Sequence, residues 1–217
     1  MHAQLLKAAL AASLGLGLAL GAAPGRAAPV ALATEVSGET VPPIEPFTEI
    51  EPGTSLELGE TTQIEFMRYT SCETVTVVGG RITFTEQQFL VQRGKIVDVK
   101  RSRCPEVAQP KADSNLGGVL LRGGNADLKL MAAPRLAFVG AGRAAYDRLR
   151  VLKGKTVILE APIAGHQFTW PADAAALTPA DDYTLELLRG DGGKPTRLVF
   201  EVTAKRGTAP LTVVRLD

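Results

Sequence analysis

Apolar and polar positions alternate between residues 62 and 66: Thr62, Ile64 and Phe66 share one parity, Gln63 and Glu65 the other. Alternation of this kind marks a strand with one face buried. Val75 and Val77 repeat it, and Ile82 and Phe84 repeat it again with threonines between them. Gly79-Gly80 stands between those two runs and tolerates the positive φ of a tight turn, so a hairpin is expected there. Residues 89–91 and 96–99 read as further short strands parted by Gly94, and residues 55–107 show no helical period. The only two cysteines, Cys72 and Cys104, bracket most of these runs. The expected unit, residues 55–108, is a β-meander or small barrel closed by one disulfide.

The second half repeats the strand signal. Candidate strands fall at 128–131, 136–139, 146–152, 156–160, 167–170, 183–188 and 197–203. Turn residues separate them every several positions, which is the spacing of a β-sandwich. Residues 143–152 have a second reading as a short helix, because Ala144, Ala145 and Leu149 favour one. Residues 211–216 alternate and read as a last strand or a tail. Between the halves, residues 109–125 carry Pro110, Asp113, Ser114, Asn115, Gly117 and Gly118 and read as a linker, with a short apolar run at 119–121. Residues 28–54 hold Pro29, Pro42, Pro43, Pro46 and Pro52 and show no clear period. Proline fixes φ and pushes its predecessor towards extended backbone, so an extended or mobile arm is expected.

The first 27 residues stand outside this pattern. Lys7 supplies one positive charge, residues 8–20 are apolar and uncharged, and Gly25-Arg26-Ala27 ends on small residues. That is the plan of a secretory signal cleaved after Ala27. The other reading is a retained anchor helix, for which the run is short. No cysteine follows closely, so no lipid anchor is expected. Export makes the two cysteines a bridge rather than a reactive pair. Removing Lys7 and Arg26 leaves 22 basic residues against 23 acidic. Such a balance argues against general binding to nucleic acid or to a membrane surface. The distribution is uneven: residues 28–67 hold eight glutamates and no Lys or Arg, whereas residues 68–111 hold eight basic and four acidic residues. The acidic arm therefore either lies against the basic segment that follows or forms a solvated linker, the reading we favour.

Leu177-Thr178-Pro179-Ala180-Asp181-Asp182-Tyr183 fits L-x-P-x-x-x-Y. It resembles the tyrosine corner of immunoglobulin-like and fibronectin type III sandwiches, in which a tyrosine hydroxyl bonds to upstream backbone. The resemblance covers the last 80 to 90 residues. It implies an immunoglobulin-like β-sandwich over residues 126–217, with Leu177, Pro179 and Tyr183 as its corner and Trp170 as a core aromatic. The first unit, through Leu56-x-Leu58-Gly59, Ile64, Val75-x-Val77-Val78-Gly79-Gly80 and Gly94, resembles the β-rich periplasmic region of FecR-type envelope proteins. That resemblance implies an accessory role in envelope signalling. The fold class expected for the chain is all-β.

Candidate chemistry is sparse. His166 is the only histidine beyond the signal, and its Gly165-His166-Gln167 setting reads as a loop. No G-x-S-x-G elbow is present. Asp181-Asp182 supply the only adjacent carboxylates considered for a hydrolase, and they read as turn residues. Asp113-Ser114-Asn115 opens like a calcium loop, but Gly124 stands where the late bidentate glutamate belongs. Arg189-Gly190-Asp191 spells an adhesion tripeptide, while Gly190, Gly192 and Gly193 are also what a hairpin tip requires. Lys100, Arg101 and Arg103 form the densest basic run, beside Cys104, and are the candidate partner surface. The expectation is an exported, non-catalytic binding protein of the bacterial cell envelope, periplasmic or secreted. Its expected partner is another envelope protein, and no cofactor or metal is expected. The alternatives are a FecR-like accessory in envelope signalling and a carboxylate-based hydrolase.

Overall fold

The alternating runs of the first half pair into one seven-stranded sheet. A computed structural model describes residues 27–108, 128–179, 181–203 and 209–216. The sheet contains β1 (Ala31–Ser37), β2 (Thr40–Val41), β3 (Glu49–Ile50), β4 (Ser55–Arg68), β5 (Glu73–Phe84), β6 (Phe89–Gln92) and β7 (Lys95–Arg101). Its order is β3-β1-β4-β5, with β2 on β4. Both β6 and β7 lie along the far edge of β5, and all the pairings are antiparallel. Strand parity sends Ile64, Phe66, Val75, Val77, Ile82 and Phe84 to one face, where all are buried. Phe66 meets Phe84 and Phe89 edge-on at centroid distances of 4.9 and 5.1 Å.

Gly79-Gly80 is not a hairpin. β5 runs straight through it, with φ of 65° and 77°. Opposite, the register of β4 slips between Leu58 and Gln63, and on the other side Arg93-Gly94 separates β6 from β7. A Cβ on Gly80 would stand 2.3 Å from the Gly94 nitrogen, and one on Gly94 would stand 2.1 Å from the Gly79 oxygen. The glycines let backbones meet along a crease that crosses three strands. Bulges and glycine kinks of this sort curve a sheet. Here the sheet curls into half a barrel and stays open, so the small barrel among the expectations does not close. The Cys72–Cys104 disulfide is present, with Cα atoms 4.7 Å apart. It ties the β4–β5 turn to the chain just beyond β7, where the Ser102 amide also donates to the Cys72 carbonyl at 2.8 Å.

The rest forms two further sheets. Their strands are β8 (Glu106–Ala108), β9 (Leu128–Met131), β10 (Arg135–Val139), β11 (Tyr146–Lys153), β12 (Thr156–Pro162), β13 (Gln167–Thr169), β14 (Tyr183–Arg189), β15 (Thr196–Thr203) and β16 (Leu211–Arg215). One sheet is ordered β13-β10-β16-β8 and the other β12-β11-β14-β15-β9. They share a core that includes Leu136, Phe138 and Val214 from the first and Leu149, Leu185 and Phe200 from the second. Over residues 143–152 the strand reading holds and the helix reading does not: β11 runs from Tyr146 to Lys153, and only a short 3-10 turn, Ala141–Ala145, precedes it. Residues 211–216 are no tail, because β16 lies in the middle of its sheet, parallel to both β10 and β8. The expected signal (but for Ala27), the whole linker, the 119–121 run and the calcium-like loop lie outside the described residues.

The arm is part of the fold rather than a solvated linker. β1 pairs along β4, and its Ala31 and Ala33 enter the half-barrel core. Leu32 points the other way and packs with Phe47 against Ala137 and Val139 of β10 and Val213 of β16. The β13-β10-β16-β8 sheet is therefore covered on both faces, by its sandwich partner on one side and by the half-barrel on the other. Two of the arm's acidic residues meet arginines of the sandwich. Glu49 receives Arg215 Nε at 3.1 Å and the Tyr69 hydroxyl at 2.9 Å. Arg143 reaches Glu45 at 3.3 Å and the Phe47 carbonyl.

Candidate functional site

The sheets end on several open edges, and clefts open at both ends of the interface between half-barrel and sandwich; two of these features combine apolar exposure or unpaired charge with a row of strand positions. The first is the β7 edge of the half-barrel. β7 pairs only with β5, and nothing among the described residues pairs with its outer edge. Register places Val99 beside Val75 and Ile96 beside Val77. Those β5 neighbours are fully buried, yet Ile96 is 45% and Val99 52% exposed. The apolar face of the sheet thus runs past the last strand without cover. Val97 and Leu90 are also about half exposed, at 46% and 48%. Natural edges are usually blunted by charge, proline or bulges. Here Lys95, Lys100 and Arg101 give the edge a positive character, with Asp98 paired to Lys100. That ion pair holds the Lys100 ammonium above its ordinary pKa. Lys100, Arg101 and Arg103, the run singled out in the sequence, are all exposed and leave this edge towards the disulfide.

The second feature is a cleft of about 710 Å³ between the half-barrel and the β13-β10-β16-β8 sheet. Glu35, Glu65, Thr74 and Ser102 line it from one side, Arg135 and Gln167 from the other, and Arg103 lies where the two meet. The wall residues follow from strand parity. On β10, Leu136 and Phe138 face the sandwich core, so Arg135 shares the opposite face with Ala137 and Val139. Buried Phe47 and Met67 also line the cleft. Glu65 accepts the Thr34 hydroxyl at 2.7 Å. Arg103 and Arg135 hold no hydrogen bond or ion pair among the described residues, unlike Arg143 and Arg215 elsewhere on the same interface. Arg135 carried no signal in the sequence, because its place depends on the parallel pairing of β10 with β16.

The other sequence candidates have structural partners. The Tyr183 hydroxyl accepts the Thr178 amide at 3.0 Å and donates to Asp181 at 3.3 Å. Its ring stacks on Phe200 at 5.4 Å, with Leu177 buried in the same core and Pro179 exposed beside it. Asp181 also holds Lys153 at 2.7 Å, and this hydrogen bond keeps its carboxyl below the usual range. Arg189 and Asp191 of the adhesion-like tripeptide bind each other at 2.7 Å. Their hydrogen bonding lowers the Asp191 carboxyl to a pKa of about 2. His166 is half-buried near Arg143 and 3.9 Å from Glu45, and burial followed by the Arg143 charge lowers its pKa. Burial, with the Glu49 carboxylate beside it, pushes the Tyr69 phenol far above its usual range, so it remains a donor. Among the described residues no group of three or more His, Cys, Asp or Glu is placed to hold a metal ion. No helix there is long and apolar enough to cross a membrane.

Fold and edges define a disulfide-bonded all-β protein that presents an open sheet edge and an intersheet cleft. No family model, curated protein or solved structure matches the chain.

Proposed function

We propose that this is an exported, non-catalytic binding protein of the bacterial cell envelope that holds a partner protein by strand addition along β7. The observation that carries the reading is the pair Ile96 and Val99, which lie on the core-facing side of the half-barrel yet are about half exposed. A strand laid against β7 would cover them and continue the sheet. In such recognition the main chain gives affinity and alternate side chains give specificity. The net positive edge favours a partner strand with acidic residues. A disulfide fits an oxidising compartment, and the signal-like N-terminus points to the same address. Nothing in the arrangement of Asp181, Asp182 or His166 gathers a nucleophile, a base and a binding cavity in one place.

The test places a photo-crosslinking residue at Val97 of the exported chain, beside an otherwise wild-type edge and beside Ile96→Lys/Val99→Lys. An inward-pointing charge on an edge strand blocks pairing, and both side chains are exposed enough for the fold to tolerate the change. One envelope protein should crosslink to the wild-type edge, protect the β7 amides from hydrogen exchange when purified and added back, and be lost in the lysine variant. Equal crosslinking by both edges, or no β7 protection, refutes strand addition.

A further inference from the structure

The cleft is a different surface from the β7 edge, and its chemistry differs as well. We propose that it binds a short peptide segment bearing a carboxylate, with Arg103 and Arg135 as the groups that hold that carboxylate.

The two ends of the interface between the half-barrel and the sandwich are built differently. At one end the surfaces are clamped by ion pairs, Arg215 on Glu49 and Arg143 on Glu45. That end also holds a cleft, of about 560 Å³; at the other end the charges on the two walls of the cleft do not pair. Glu35 and Glu65 stand on the half-barrel wall, and Arg135 stands on the sandwich wall. Neither Arg103 nor Arg135 is paired with a carboxylate among the described residues, nor are Arg93 and Arg101, although most of the described arginines are, as Arg68, Arg150 and Arg197 show. Guanidinium is a planar fork of donors that matches a carboxylate with two parallel hydrogen bonds. Two such groups lining one cleft give it the donors of a carboxylate site.

The rest of the lining narrows the ligand. The volume, about 710 Å³, lies within the range of sites that take a ligand of a few residues. Phe47, Met67 and Leu211 offer apolar surface to a side chain. Gln167, Thr74 and Ser102 offer groups that can hydrogen-bond to main chain. The opposing carboxylates of Glu35 and Glu65 disfavour a ligand charged negatively along its length, which excludes sulfated glycans and phosphate-rich chains by repulsion. They suit a ligand that turns N–H donors or a basic group towards them while its carboxylate faces the arginines. A peptide has this polarity.

The experiment is calorimetric titration of the full exported chain with a pentapeptide, acetyl-Leu-Lys-Leu-Asp-Leu with a free C-terminus. The same peptide with Asn for Asp and an amidated C-terminus, inorganic phosphate and a heparin-type oligosaccharide serve as the other arms. Binding of the acidic peptide, at least ten-fold weaker for its carboxylate-free form and for Arg103→Gln or Arg135→Gln, is the expected result. Arg93→Gln, an exposed turn arginine away from the cleft, should bind as wild type does. So should Ile96→Lys/Val99→Lys, which separates this site from the edge. Both glutamines replace exposed side chains, so an unchanged melting temperature accompanies the expected result. Equal binding of the acidic and the carboxylate-free peptides, no binding of either at millimolar concentration, or preferential binding of the oligosaccharide or phosphate overturns the proposal.

Discussion

Replacing Gly80 by alanine tests whether the crease is what shapes the half-barrel. Two costs combine at this position. The backbone has φ of +77°, and an L side chain in left-handed backbone costs about 1–2 kcal/mol. The added Cβ would also meet the Gly94 nitrogen at 2.3 Å, the Gln92 oxygen at 2.4 Å and the Arg93 carbonyl carbon at 2.5 Å. All three are main-chain atoms, so no rotamer change relieves the overlap. The β6–β7 turn must move off by roughly 1 Å, and the ladder of Arg81–Phe84 with Phe89–Gln92 loosens with it. Losing two of those hydrogen bonds adds about 2 kcal/mol at roughly 1 kcal/mol each. The expected destabilisation is about 3–4 kcal/mol. Gly53 supplies the control: its φ is +86°, but a Cβ there meets nothing within 4 Å, so Gly53→Ala carries only the backbone cost of about 1–2 kcal/mol. Equilibrium urea unfolding of both variants measures the difference through the midpoints at a common slope. Substitutions that agree to within about 0.5 kcal/mol would falsify the close approach of Gly79-Gly80 to Arg93-Gly94.

The remaining predictions concern the wedge, the bridge and the histidine. Leu32 is fully buried between the half-barrel and the sandwich, so Leu32→Ala should cost about 2–5 kcal/mol; a loss under about 1 kcal/mol in the same urea assay would mean that the arm does not pack there. Cys72→Ser/Cys104→Ser, which opens a loop of 32 residues, should lower stability by about 3–4 kcal/mol, and adding reductant should lower the wild-type midpoint but not that of the variant. His166 has a folded pKa below its ordinary 6.5. Its contribution to stability is present above pH 6.5 and declines as the pH falls through the folded value, because the unfolded chain takes the proton more readily. His166→Gln should flatten the melting-temperature profile between pH 7 and pH 5, and an unchanged slope would exclude His166 as its source.

Strand positions in the second half were legible because most of those strands have one buried face. Leu149 and Val151 alternate with exposed or half-buried neighbours on β11, as do Leu198, Phe200 and Val202 on β15. The meaning of Gly79-Gly80 was not legible, since a glycine pair serves a hairpin and a crease equally well. What distinguishes them is the approach of Arg93-Gly94 and the register slip in β4, and both are set by pairing. The basic run at Lys100, Arg101 and Arg103 could be seen in the chain, but Arg135 could not be joined to Arg103 without the cleft between them. β7 reads as a short apolar strand, and its exposure on both faces is a property of the open edge.

The arm was misread for a reason that also explains the strands of the middle sheet. An alternating pattern requires one wet face and one dry face. Ala31, Leu32 and Ala33 have no wet face: the alanines enter the half-barrel core and the leucine enters the contact with β10 and β16. On β10, residues 136–139 are all buried, as are Thr212, Val213 and Val214 on β16. A strand covered on both sides reads as a short apolar run, and periodicity alone cannot assign it to a layer. The prolines then tip the reading towards a linker, although Pro42, Pro43, Pro46 and Pro52 all lie outside the short strands of this segment. Proline is tolerated there because no ladder amide is required of it. The half-barrel and the sandwich consequently share one buried layer. Cutting the chain at the linker would separate β8 from β16 and strip Leu32 and Phe47 from Ala137, Val139 and Val213. The cleft and the β7 edge then belong to a single three-layer body: the wedge of Leu32 and Phe47 joins its layers beside the cleft, and the crease at Gly79-Gly80 and Gly94 adjoins the start of β7.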